Sequence, residues 1–128
     1  MKLAVGDPAP DFTLIDHNGN EVMLSGLKGS MVVLYFYPKD NTPGCTTEAC
    51  DFRDNMARIT SAGATVLGVS GDSMISHQKF REKFDLPFPL LVDEDHAVME
   101  AYGAWGEKKL YGKIFQGLIR STFLIDRA

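Results

Sequence analysis

The chain has 128 residues, 45% of them hydrophobic, which suits one domain around one buried core and argues against disorder. Its formal net charge of −4 argues against nucleic acid, which calls for a basic surface. No apolar run is long enough to span a bilayer, and Asp7 and Pro8 interrupt the N-terminal segment before a secretory apolar region develops, so a cytoplasmic protein without a membrane partner is expected.

The elements follow in chain order. Phe12-Thr13-Leu14-Ile15 and Glu21-Val22-Met23-Leu24 flank His17-Asn18-Gly19-Asn20, a β-hairpin that turns at Asn-Gly. Residues 31–37 are apolar throughout, as a strand buried on both faces would be, and residues 64–70 repeat that character. A shorter strand is predicted over 89–92 and a last one over 118–126, with helices over 43–61, 73–84 and 95–102. Alternating strands and helices imply an α/β sheet with covered faces. No repeat, linker or low-complexity tract interrupts the pattern.

The helix predicted over 43–61 carries the chemistry. Thr42 is a good N-cap and Pro43 suits the position after it, so Cys45 falls in the first turn. There it lies beside unpaired backbone N–H groups and the positive end of the helix dipole, which favour thiolate over thiol. A free cysteine is only roughly 3% ionised at pH 7, so this position matters. Fast attack on a peroxide or disulfide also needs donors that stabilise charge on the leaving atom.

Ala49, Phe52, Met56 and Ile59 recur at helical spacing, and Cys45 projects onto the same face, pointing inward. Cys50 lies about 140° around the helix from Cys45, with Cα atoms about 8.6 Å apart. Cysteines separated by more than about 7 Å at Cα cannot bond without backbone movement, so a bridge between these two requires local unwinding. In a reducing compartment such a pair reads as reactive, the alternative being a buried, inert thiol.

Other features carry less. His17, His77 and His96 are far apart and join no cysteine at ligand spacing, so no metal site is expected; His77 on a polar helix and His17 in a turn read as surface residues. Neither glycine-rich phosphate-binding string occurs, so no nucleotide cofactor is expected. Trp105, Tyr111 and Phe115 read as core or loop anchors, with an aromatic wall near the site as the alternative.

The run Pro38-Lys39-Asp40-Asn41-Thr42-Pro43-Gly44-Cys45 resembles the active-site signature of the peroxiredoxins, thiol peroxidases on a thioredoxin-like fold. Extended from Tyr37 to Cys50, it is similar to the bacterioferritin comigratory protein, or peroxiredoxin Q, subfamily. The likeness reaches from Gly6-Asp7-Pro8-Ala9-Pro10 through Trp105-Gly106-Glu107 to Arg120-Ser121-Thr122-Phe123-Leu124. The resemblance implies a central mixed sheet flanked by helices, with an N-terminal β-hairpin.

By that resemblance Cys45 is the peroxidatic cysteine and Cys50 the resolving cysteine of an intramolecular disulfide. Thr42 would hold and polarise the peroxide, Pro38 would shield the site from water, and Arg120 would sit beside Cys45. Glu48 is a weaker candidate for pairing with Arg120 and otherwise complements the helix dipole. The implied activity is reduction of hydrogen peroxide and organic hydroperoxides by a monomer, recycled by thioredoxin or a similar dithiol, with no cofactor or metal. Family members continue through a turn, a strand and a C-terminal helix, which the single domain over 1–128 is expected to lack. Two rival readings use the same cysteines: a disulfide oxidoreductase, whose usual tool is C-x-x-C, and a redox-responsive binding module.

Overall fold

The computed structural model describes residues 6–27, 29–110 and 113–126. Strands β1 (Thr13–Asp16) and β2 (Glu21–Met23) form the expected hairpin, followed by a 3-10 turn over Leu24–Leu27 and strand β3 (Met31–Phe36). Helices α1 (Pro43–Asp54) and α2 (Met56–Ser61) lead to β4 (Ala64–Ser70), then α3 (Met74–Phe84), β5 (Leu90–Val92) and the short α4 (Ala97–Ala101). Strands β6 (Trp105–Leu110), β7 (Lys113–Leu118) and β8 (Ser121–Ile125) complete the described elements.

Six strands form one mixed sheet in the order β2-β1-β5-β4-β3-β8. The pairs β3–β4 and β4–β5 are parallel, whereas β1–β2, β1–β5 and β3–β8 are antiparallel. Strand β3 is inside the sheet and its side chains feed two cores. Val32, Leu34 and Phe36 join Leu67, Leu91 and Tyr102 on one face, while Tyr35 and Tyr37 join Phe80, Phe88 and Leu90 on the other. The apolar run that marks β3 in the sequence therefore has an apolar layer to meet on each side.

Helix α1 covers the second face. Cys45 and Ala49 are fully buried there, with Phe52, Met56 and Ile59 packed beside them, as the helical spacing predicts. The single helix expected over 43–61 is instead two. Asn55, with φ −108° and ψ 9°, breaks the ladder. Its side-chain amide donates to the Asp51 carbonyl at 2.8 Å, the local competition with the backbone that makes asparagine a poor residue for a helix interior.

Two further differences concern the second half of the chain. Strands β6 and β7 form a separate antiparallel hairpin, with Trp105 opposite Leu118 and Leu110 opposite Lys113. Trp105-Gly106-Glu107-Lys108-Lys109-Leu110 is too polar to read as a strand, because its sequence shows no alternation of apolar and polar residues. The last strand expected over 118–126 is also split. The Ile119 N–H turns away to the Ala104 carbonyl at 2.6 Å, and β8 starts only at Ser121, opposite Phe36 of β3.

The two histidines read as surface residues are buried. His77 is 0% exposed and His17 7%. His77, Phe80 and Phe84 form the one inward stripe of an otherwise polar α3, and position 77 belongs to that stripe. Trp105 stacks on His96 with ring centroids 3.8 Å apart, the anchoring role expected of it, whereas Tyr111 and the side chain of Phe115 lie outside the described residues. Among the described residues no helix is long and apolar enough to cross a membrane.

Candidate active site

Strand β3 ends at Phe36, and the Tyr37 N–H still reaches the Val69 carbonyl of β4 at 3.1 Å. The chain then leaves the sheet through Pro38-Lys39-Asp40-Asn41-Thr42, a loop turned by Asn41 in the left-handed region with φ 59°. Asparagine tolerates that conformation better than most residues. Thr42, at φ −94° and ψ 155°, is the N-cap by backbone, and the Thr46 N–H closes the first turn on its carbonyl at 2.8 Å.

The Thr42 side chain does something else. Instead of capping α1, its hydroxyl donates to the Lys39 carbonyl at 2.9 Å. With its only hydrogen committed there, the Thr42 oxygen offers lone pairs to its surroundings and can accept from an incoming O–H. Pro38 is exposed at the entry to the loop.

Cys45 is the third residue of α1 and only 1% exposed. The guanidinium of Arg120 reaches it from the turn between β7 and β8, with Nη2 donating to Sγ at 3.1 Å. The partners are 75 positions apart in the chain. Antiparallel pairing of β3 with β8 explains the meeting, because Phe36 faces Ser121 and so the loop after β3 and the turn before β8 leave the sheet at the same end. The other arm of the guanidinium, Nη1, donates to Glu48 Oε1 at 2.8 Å. One planar fork thus serves a sulfur and a carboxylate together.

The charges of this pair are not equally favoured. Burial raises the pKa of the Glu48 carboxyl above its ordinary value and outweighs the opposing effect of Arg120. Burial opposes the charge of Arg120 too, yet its hydrogen bond and attraction to Cys45, then the pairing with Glu48, leave the pKa of the guanidinium raised. Beside the fork, Gly44, Glu48, Phe52, Ile59 and Arg120 line a groove of about 600 Å³.

Cys50 sits farther along α1 and is partly exposed. Both thiols are free, and α1 is continuous across them. The structure therefore brings together Cys45, Arg120 and Glu48 and holds Thr42 at the start of the same helix, while Cys50 stands apart on it. Sequence reasoning missed Asp40 and His77, which lie 37 positions apart and meet at 2.7 Å beneath the loop. No periodicity or spacing signals that contact.

A model of the AhpC/TSA family matches residues 5–128. Peroxiredoxin Bcp of Bacillus subtilis is 53% identical over 127 residues, which cover 99% of this chain and 81% of that protein. Peroxiredoxin Bcp of Escherichia coli is 50% identical over 124 residues, covering 97% of this chain and 80% of that one. Among solved structures, the bacterioferritin comigratory protein of Xanthomonas campestris, described for alkyl peroxide reduction, superposes with a TM-score of 0.86 at 43% identity, covering 91% of this chain and 74% of that one.

Proposed function

The chain belongs to the AhpC/TSA family and is a peroxiredoxin, and on that premise we propose that Cys45 is the peroxidatic thiol and Cys50 the resolving one. The observation that carries the reading is the Arg120 Nη2 donor 3.1 Å from Cys45 Sγ. A guanidinium keeps its charge at any working pH, so it stabilises the thiolate before reaction and the departing oxygen during it.

The Cys45 thiolate attacks one oxygen of a hydroperoxide R–O–O–H. The new S–O bond forms as the O–O bond breaks, and the electron pair leaves with the distal oxygen, which takes a proton to become water or alcohol. Arg120 and the Cys45 backbone N–H receive the developing charge, and Thr42 accepts the peroxide O–H and so orients it. Cys45 becomes a sulfenic acid. The burial of Cys45 favours this substrate over a protein disulfide, because a slim terminal oxygen reaches a thiol that a bulky sulfur pair cannot approach without unfolding.

Cys50 then attacks the sulfenic sulfur, giving the Cys45–Cys50 disulfide and a molecule of water. This step needs the turns between them to open, since a continuous helix holds the two Cα atoms about 8.6 Å apart. Far-UV circular dichroism is therefore expected to lose helix signal when stoichiometric peroxide is added, and to regain it with excess dithiol; an unchanged spectrum in a protein proven to carry the bond contradicts the opening. Thioredoxin or a similar dithiol completes the cycle, on a monomer working in the cytoplasm.

The experiment that tests the assignment compares wild type with Cys50→Ser in a peroxide assay coupled to thioredoxin and its NADPH-dependent reductase. The variant is expected to form one equivalent of sulfenic acid at the wild-type rate and then to lose at least about 10-fold in coupled turnover. Full multiple turnover by the variant removes Cys50 from the resolving role.

A further inference from the structure

Asp40 lies inside the protein, 7% exposed, although it sits at the centre of the loop that carries Thr42. Its carboxylate takes three contacts, one from Tyr37 just after β3 and two from α3. Oδ1 accepts from the Tyr37 hydroxyl at 2.5 Å, and Oδ2 meets the Ser76 hydroxyl at 2.8 Å and His77 Nδ1 at 2.7 Å. On its far side His77 Nε2 faces the Leu91 carbonyl of β5 at 2.8 Å. A carbonyl only accepts, so Nε2 carries a hydrogen, and the remaining Nδ1–Oδ2 contact shares one proton between ring and carboxyl.

The Asp40 backbone continues the network. Its N–H donates to Asp72 Oδ2 at 2.8 Å, and the Ser70 hydroxyl donates to the same oxygen at 2.8 Å. The Asp40 N–H and the Lys39 carbonyl belong to one peptide unit, and that carbonyl receives the Thr42 hydroxyl at 2.9 Å. A planar peptide cannot rotate one end without the other. Asp72 thus grips the N–H end, Thr42 hangs on the carbonyl end, and the Asp40 carboxylate below fixes the residue between them.

Asp40, Asp72 and His77 also have the composition of a cation site. Their facing atoms are already occupied by one another and by Ser70, Ser76, Tyr37 and Leu91, which is what a structural network requires and a metal site does not.

We propose that His77 and Asp40 are positioning residues for the peroxide step, a buried pair that aims the Thr42 hydroxyl oxygen and the first turn of α1 through the peptide between residues 39 and 40. The inference rests on the peroxidase reading given above. The pair is needed while α1 is folded, and it has no part in the later step, when the helix has opened and Cys50 attacks. Its loss consequently separates two rates that a general loosening of the fold would alter together.

The experiment measures single-turnover loss of the Cys45 thiol on adding hydrogen peroxide, and then the appearance of the disulfide, in wild type, His77→Leu and His77→Asn. A leucine removes both ring donors. An asparagine places an amide N–H where Nδ1 stood and so keeps the contact to Asp40. For His77→Leu the oxidation rate constant is expected to fall about 10- to 100-fold, the cost of a misaimed reacting geometry, while disulfide formation stays within about 2-fold of wild type. His77→Asn is expected to recover oxidation to within about 5-fold of wild type.

Oxidation unchanged in folded His77→Leu overturns the inference. So does a parallel fall in both rates, or an asparagine variant no better than the leucine one. If His77→Leu does not fold, Tyr37→Phe removes only the hydroxyl that meets Oδ1, and a selective fall in oxidation of about 3- to 10-fold decides the question in the same way. Wild type that fails to lose its Cys45 thiol to peroxide overturns the peroxidase reading itself, whereas oxidation in wild type with no selective effect in the variants overturns this inference alone.

Discussion

Cys45→Ser is expected to lower peroxide consumption by more than about 1,000-fold while leaving the fold intact. Serine is slightly smaller than cysteine, and its oxygen still accepts from Arg120 Nη2, so the buried position stays filled and hydrogen-bonded. What disappears is the nucleophile. A thiol is ionised to a few per cent at neutral pH even without help, whereas a hydroxyl must be deprotonated by a neighbouring base. The carboxylate near this position, Glu48, is already engaged by Arg120 Nη1. Loss of activity together with a wild-type circular dichroism spectrum supports the assignment; residual turnover near the wild-type rate would transfer it to another group.

Arg120→Lys is the second variant of large effect, with an expected loss of about 100- to 1,000-fold in the rate of Cys45 oxidation. The substitution preserves the positive charge, so a purely coulombic role predicts little change. The geometry predicts much. Two nitrogens of one rigid plane address Cys45 Sγ at 3.1 Å and Glu48 Oε1 at 2.8 Å, and a single ammonium on a flexible stem cannot reproduce that spacing. The loss belongs in the oxidation step; disulfide formation, measured from preformed sulfenic acid, is expected to stay within about 3-fold of wild type. Near-normal oxidation in the lysine variant would show that charge alone suffices.

The elements that define the site were legible where burial imposes a pattern. Residues 64–70 form β4 with the bounds their apolar run predicts, and the inward face of α1 follows from the spacing of Ala49, Phe52, Met56 and Ile59. Cys45 on that face is buried as expected. Arg120 was another matter. Its place beside Cys45 depends on the antiparallel pairing of β3 and β8 and on the break at Ile119, and neither leaves a local trace; only the family resemblance pointed there.

The misses share a cause. The β6–β7 ribbon and the Asn55 break are settled by hydrogen bonds with little apolar contrast, and His77 is a polar side chain whose partners come from the loop after β3 and from β5. Tertiary pairing of polar groups overrides the expectation that polar residues face water.

The interruption at Asn55 limits how far redox chemistry can disturb the protein. Helix melting spreads through neighbouring hydrogen bonds, and a ladder already cut has nothing to pass on. On the cycle proposed above, disruption that starts at Cys45 runs out within α1, while α2 keeps its place against β4. Each round of that proposed cycle then costs the molecule the order of the 12-residue α1, and the remainder serves as the template on which that segment winds up again.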